Sequence, residues 1–197
     1  DALKLQYYFK AVGKSMGLII DVMITDGSQP IGRGIGPSLE AFDVLSVLQN
    51  KKDAPLDLKE KSISIAATML ELSKKAKKGE GVNMARKIVE SGKAFERFKS
   101  ICLAQGRYSE PVLAKYKKHI YATKSGVVKE IDNRKLAKIA KLAGAPQSPA
   151  SGIYFDAPLG KKVKKGQLLF TVYAEGKNEL NYALEFLESS NHLVTIG

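Results

Sequence analysis

The stretch that most constrains the fold is Thr25-Asp26-Gly27-Ser28-Gln29-Pro30-Ile31-Gly32-Arg33-Gly34-Ile35-Gly36-Pro37-Ser38-Leu39-Glu40-Ala41. It follows an apolar run, Leu18 to Ile24, that reads as a buried strand. Between Gly27 and Pro37 it carries four glycines, two prolines and one arginine. Pro37 suits the first position of a helix over Ser38 to Leu48, because its fixed φ is helical and its missing N–H is not needed there. Strand, glycine-rich crossing and helix N-terminus are together the parts of an anion cradle. Gly32, Gly34 and Gly36 are spaced GxGxG, however, not GxGxxG, and no GxxxxGK is present. The spacing favours a tight structural turn over a nucleotide loop.

Around this stretch the pattern predicts helices and few strands. Asp1 to Met16 is expected to be an amphipathic helix ended by Gly17, with Leu3, Tyr7 and Ala11 on one face. Leu18 to Thr25 is expected as a strand and Pro37 to Gln49 as a helix. Asp57 and Glu60 have the spacing of a capping box at the start of a helix through Leu72. Lys74, Lys75, Lys77 and Lys78 are expected to close that helix before Gly79, where positive charge complements the helix dipole. Asn83 to Ser91 and Ala94 to Leu103 follow as helices parted by Gly92. After Gly106 the composition changes. Arg107 to Pro111 reads as a linker, then short strands are expected at 120–123, 126–131, 152–156, 167–174 and 193–196, with helices over 133–142 and 177–187. The expected fold class is α/β followed by α+β. Residues 1–106 are expected to be the last part of an α/β domain, and residues 107–197 a C-terminal α+β domain. A lone buried strand cannot satisfy its own backbone groups. The chain also opens inside a helical pattern without methionine. It is therefore expected to be the C-terminal piece of a longer α/β protein whose other strands lie upstream.

The chain has 197 residues, 44% of them hydrophobic, which suffices for one large or two small cores. No apolar run approaches the roughly 18 residues that span a bilayer, and no signal peptide is visible. Cys102 is the only cysteine, so no internal disulfide is possible; it reads as a core residue, and a cytoplasmic location is expected. The net charge is +12, from 32 Lys and Arg against 20 Asp and Glu. Such a surface suits polyanions or is simply a solvated basic face. No aromatics interleave with the lysines as a single-strand binder requires, so no specific nucleic acid is expected as a partner. His119 and His192 stand alone in sequence and suggest no zinc site.

The string itself resembles the segment "(S/T)D-x-x-QP-(I/L)-G-x-x-(I/V)-G-x-(A/S)-LE" of the thymidine and pyrimidine-nucleoside phosphorylase family. Ser91-Gly92-Lys93-Ala94, Phe98 and Ala104-Gln105-Gly106 resemble that family's "SGKA…F…AQGG" segment. The tail from Ile120 is similar to its C-terminal domain. Gly36-Pro37-Ser38-Leu39-Glu40-Ala41 resembles the archaeal AMP phosphorylase branch, since bacterial members tend to carry Asn where Pro37 stands. The turn around Gly160, Val163, Gly166 and Gln167 resembles half of a barrel-sandwich hybrid, an architecture with which this family ends.

The resemblance implies an enzyme that splits a nucleoside or nucleoside 5′-monophosphate with phosphate, giving free base and sugar 1-phosphate. It implies phosphate as co-substrate, no organic cofactor, and a homo-oligomeric parent without membrane association. Phosphorolysis requires a cationic phosphate site, hydrogen bonding to the leaving base, and tolerance of positive charge on the sugar. In the family these groups lie upstream of the matched stretch, so no catalytic residue is assigned here and the chain by itself is expected to be inactive. By the same resemblance a structural alkali cation would use the carbonyls of Ile31 and Gly34 and the carboxylate of Asp43, hard oxygen ligands that suit it. Asp43 is one methylene shorter than the family's Glu. It also reads simply as an aspartate held by the helix dipole. Asp26 could face a substrate cleft, but turn capping is its first reading. Arg33 reads first as a surface ion pair, and Ser28 has no base to activate it. Two rival classes remain: a non-enzymatic basic nucleic-acid-binding module, and a biotinyl- or lipoyl-like carrier domain using one of Lys161, Lys162, Lys164 or Lys165.

Overall fold

A computed structural model describes residues 1–190 and 193–197. Five helices occupy the first half: α1 (Ala2–Ser15), α2 (Pro37–Leu48), α3 (Leu56–Leu72), α4 (Gly81–Glu90) and α5 (Lys93–Ala104). A two-residue strand, β1 (Gly34–Ile35), lies within the glycine-rich crossing. The second half carries β2 (Tyr116–Tyr121), β3 (Gly126–Ile131), α6 (Asn133–Leu142), β4 (Gly152–Phe155), β5 (Lys162–Val163), β6 (Leu168–Ala174), α7 (Lys177–Ser189) and β7 (Val194–Ile196). The result is a mixed α and β fold with antiparallel sheets. One sheet runs in the order β1-β4-β6-β2 and the other in the order β5-β3-β7. The first takes strands from both sides of residue 106, since Gly34 pairs with Tyr154 and Ile35 with Ile153.

The alternation of β6 explains why this sheet forms. Phe170, Val172 and Ala174 point to one face, while Thr171 and Tyr173 point to the other. Phe170 and Val172 meet Phe155 and Ile153 of β4 across the pairing, and the rings of Phe155 and Phe170 are 5.2 Å apart. Leu136, Ile139 and Ala140 of α6 and Ala183 of α7 close the same cluster. Asp132 starts α6 by accepting from the N–H groups of Arg134 and Lys135 through its carboxylate. The core therefore sits in the second half. In the first half the helices meet over Leu39, Leu45, Val47, Ile63, Ala67 and Ala85. They leave between them an apolar groove of about 560 Å³.

Several expectations are corrected. Residues 18–25 form no strand. Leu18 N donates to the Gly13 carbonyl at 2.8 Å, and Gln6 Nε2 reaches the Val22 carbonyl at 3.3 Å, so the segment folds back along α1. Among the described residues no strand pairs with it, and propensity alone does not make a strand without a neighbour. The face of α1 expected to be buried is open, with Leu3 74% and Tyr7 69% exposed. The capping box is not made: Glu60 instead pairs with Arg86 through two bonds of 2.7 and 2.8 Å. α3 ends before the lysines. Lys74, Lys75, Lys77 and Lys78 lie in the turn after it, where the N–H groups of Gly79 and Gly81 both donate to Glu71 Oε1. β2 starts at Tyr116, earlier than expected, because solvent-facing Lys117 and Lys118 hide its period.

Phe170 is 1% exposed at the centre of the larger sheet. Phe170→Ala is expected to lower unfolding free energy by about 3–5 kcal/mol, read from urea denaturation. A loss under about 1 kcal/mol would show that this cluster does not hold the sheet together.

Candidate functional site

The glycine-rich crossing is built by carboxylates that point at its backbone. Asp43 of α2 places Oδ2 at 2.6 Å from Arg33 N and 2.8 Å from Gly34 N. Asp57 of α3 accepts from Gly32 N at 3.0 Å. Glu40, one turn into α2, accepts from Gly36 N at 3.0 Å. Asp26 Oδ1 accepts from Ser28 N at 2.8 Å, and this bond, first among its causes, lowers the Asp26 pKa. Asp43 is buried, and burial raises its pKa against the opposing pull of the Arg33 and Gly34 amides. The N–H groups that would have cradled an external anion are thus taken by the protein's own side chains. The helix terminus beside them is engaged as well: Pro37 has no N–H, and Ser38 N donates to the Pro149 carbonyl at 2.9 Å.

The crossing is also fastened to the second half. Gln29 Oε1 accepts from Ile131 N at 2.9 Å, and Asn133 Nδ2 donates to the Gly27 carbonyl at 3.4 Å. Gly36 has φ +126, and a Cβ there would collide with the Ser151 carbonyl. A side chain at Gly34 would strike the Leu39 carbonyl, so glycine is the residue that fits.

Ile31, Gly34 and Asp43, expected as the protein's share of a cation site, do come together. They line one cavity of about 540 Å³, with Glu40, Lys61 and Leu58 also in its wall. Oxygen donors are the right chemistry for an alkali cation. Oδ2 of Asp43 is committed to two amides, which leaves Oδ1 for such a role, and Lys61 in the same wall opposes it. Among the described residues no cluster of three or more His, Cys, Asp or Glu side chains could hold a metal ion.

Pairing of β1 with the sheet creates a polar row invisible in the sequence. Tyr154, Thr171 and His119 are direct cross-strand neighbours, and Arg33 precedes the Gly34 that pairs with Tyr154. His119 Nδ1 is 2.9 Å from the buried Thr171 Oγ1. The Tyr154 phenol is pushed up, first by burial and then by the Asp43 charge, while a hydrogen bond from Arg33 pulls it down. Burial raises the Asp156 pKa, against the opposing pull of Lys161 and Arg33. The signal for this row was the alternation in β4 and β6, but its register could only come from the fold. His119 therefore serves a sheet hydrogen bond; His192 lies outside the described residues. Cys102 is half-buried on α5.

The lysines of the 160–166 turn do not present a single tip. Lys162 is in β5, Lys161 Nζ donates to the Asp156 carbonyl at 2.6 Å, and Lys165 N donates to Ser125 Oγ at 2.9 Å.

Comparison with known proteins identifies the family. The family model for the pyrimidine nucleoside phosphorylase C-terminal domain matches residues 127–193. A relative from Legionella pneumophila (strain Corby) is 48% identical over 100% of this chain. Relatives from Parvibaculum lavamentivorans and Tolumonas auensis are 46% and 45% identical over 98% of it. Each bears the name "Putative thymidine phosphorylase".

The chain belongs to the thymidine and pyrimidine-nucleoside phosphorylase family. It spans 38% of the length of each of these three relatives. All are bacterial, and none supports the lean toward the archaeal AMP phosphorylases. Among the described residues no helix is long and apolar enough to cross a membrane.

Two substitutions separate the roles of the Asp43 carboxylate. Asp43→Ala leaves the Arg33 and Gly34 amides without their acceptor and is expected to cost about 1–3 kcal/mol of stability. Asp43→Asn keeps an accepting oxygen and removes a buried charge, so it is expected to melt at or above the parent temperature. Equal melting of all three proteins would mean that the crossing does not depend on this clasp.

Proposed function

We propose that this chain is the C-terminal portion of a phosphorylase that cleaves a nucleoside or nucleoside 5′-monophosphate with phosphate, releasing base and (deoxy)ribose 1-phosphate. The observation that carries this reading is the 48% identity along the full chain to a relative named for that activity class. Residues 1–106 would close the central domain and residues 107–197 would be the C-terminal domain. The two antiparallel sheets and the Gly160–Gly166 turn favour a hammerhead or barrel-sandwich character for the latter. No organic cofactor is invoked, and the parent would be a cytoplasmic homo-oligomer.

Within that enzyme this chain acts as scaffold and cleft wall. Its one glycine-rich crossing has its donors at Gly32, Arg33, Gly34 and Gly36 occupied by Asp57, Asp43 and Glu40. Those backbone donors are therefore not open to phosphate. Ile31, Gly34 and Asp43 are proposed as one side of an alkali-cation site, completed by other residues. Melting of a full-length relative in potassium against tetramethylammonium tests this. A potassium-specific rise that is lost when Asn replaces the residue matching Asp43 supports it, and identical melts overturn it.

Phosphate-dependent base release from thymidine, uridine, AMP, CMP and UMP is the direct assay. The chain alone is expected to give no turnover, and a full-length relative to give base and sugar 1-phosphate. AMP is included because of Gly36-Pro37. Turnover by the chain alone would sink the scaffold reading. A full-length relative inactive on every substrate would sink the phosphorylase reading.

A further inference from the structure

We propose that the outer face of the β1-β4-β6-β2 sheet is a docking surface for a single-stranded nucleic acid, held through ring faces and phosphate charge and not through base sequence. The inner face of this sheet packs Phe170, Val172 and Ala174 into the core with residues of α6 and α7. Register sets rings on the other face. Lys117 pairs with Tyr173, and His119 pairs with Thr171, which pairs in turn with Tyr154. Residues two apart on a strand share a face, so Lys117, His119 and Tyr121 of β2 stand together, as do Thr171 and Tyr173 of β6. The rings of His119 and Tyr121 are 6.3 Å apart, and Tyr121 is 52% exposed. Thr171 is buried at the centre, with His119 Nδ1 2.9 Å from its hydroxyl. Tyr121, His119, Tyr173 and Tyr154 thus surround one small residue. Lys117 flanks them on β2, and Arg33 flanks them through its hydrogen bond to Tyr154.

Single strands are bound by aromatic side chains set in a positively charged surface, because every base has a face that stacks. One face of a four-stranded antiparallel sheet can carry such rings. The lysines at 74–78 have no ring among them, but β2 reads Tyr116-Lys117-Lys118-His119-Ile120-Tyr121. Pairing with β6 and β4 then adds Tyr173 and Tyr154, which no local pattern shows. Residues 115–170 carry thirteen Lys and Arg against three Asp and Glu, so the positive excess of the chain gathers on the half that bears the rings. Among the described residues Lys117 makes no ion pair. Asp156, just after β4, has its charge opposed by Lys161 and Arg33.

A duplex is the poorer occupant, since its bases are already stacked and offer no free face. A single nucleotide would use one ring and little of the charge. An acidic peptide would use the charge and not the rings. The inference does not rest on phosphorolysis, so a chain without turnover leaves it standing.

The test titrates a fluorescently labelled oligothymidylate of about 12 nucleotides with this chain and reads anisotropy. Saturable binding is expected, weakening as KCl rises from about 50 to 200 mM. Tyr121→Ala should weaken it about fivefold or more at every salt concentration, while Tyr121→Phe keeps it, because stacking needs the ring and not the hydroxyl. Lys117→Gln should reduce the slope of log affinity against log salt by about 0.7. Both positions are exposed, so all three variants should melt as the parent does. Absence of binding at the lowest salt would overturn the proposal, and so would binding that Tyr121→Ala leaves unchanged. Displacement by a duplex of the same length, or by polyglutamate, as effective as that by unlabelled oligothymidylate would overturn it too. Equal displacement by thymidine monophosphate at the same nucleotide concentration would show a site for one nucleotide and not for a strand.

Discussion

The structure depends on carboxylates turned inward onto a backbone. Where the chain crosses from residue 30 to the start of α2, consecutive amides point into a space that helices cover. Left unpaired they would oppose folding. Asp43, Asp57 and Glu40 answer them from α2 and α3. The same bonds fix the angle between these two helices and the crossing, and they hold Gly34 where it can join the second half's sheet. A charge in a buried position is costly by itself, as the raised pKa of Asp43 records. It is tolerated because two amides converge on one of its oxygens.

This arrangement explains how one glycine-rich segment supports two readings. Glycine spacing reports that a backbone must pass close to something, but not what that something is. Here Gly36 passes the Ser151 carbonyl and Gly34 passes the Leu39 carbonyl, both within the protein. The crossing is a joint between the helical half and the sheet.

Much of the second half was legible from sequence. β3 and α6 have the boundaries expected, because Gly126 and Asp132 mark their starts and the apolar periods are unambiguous. β4 and β6 follow from dense β-branched and aromatic residues. What stayed hidden depended on partners distant in sequence. β1 is two residues long and exists only because β4 lies beside it. Asp57 has the local spacing of a cap, yet its carboxylate is drawn to Gly32. Glu60 was expected to serve its own helix and was taken by Arg86 on α4. The strand expected at 18–25 failed for the converse reason, since local propensity was present and its neighbour was not. In the candidate site, Ile31, Gly34 and Asp43 could be named from resemblance. The row from Arg33 through Tyr154 and Thr171 to His119 required the strand register.

The pairing of Gly34 with Tyr154 also orders events in time. On a chain emerging from its N-terminus, α2 and α3 can form early, since their contacts are local. The crossing cannot settle when they do. β1 has no edge to join until β4 exists, and β4 gains its own support only when β6 follows and pairs along Gly152 to Phe155. During synthesis the pairing of the crossing with the sheet therefore comes late, while its amide bonds to Asp43, Asp57 and Glu40 need only α2 and α3. The crossing is thus held from two sides on different schedules: by three acidic side chains near it in sequence, and by a sheet that lies more than a hundred residues on.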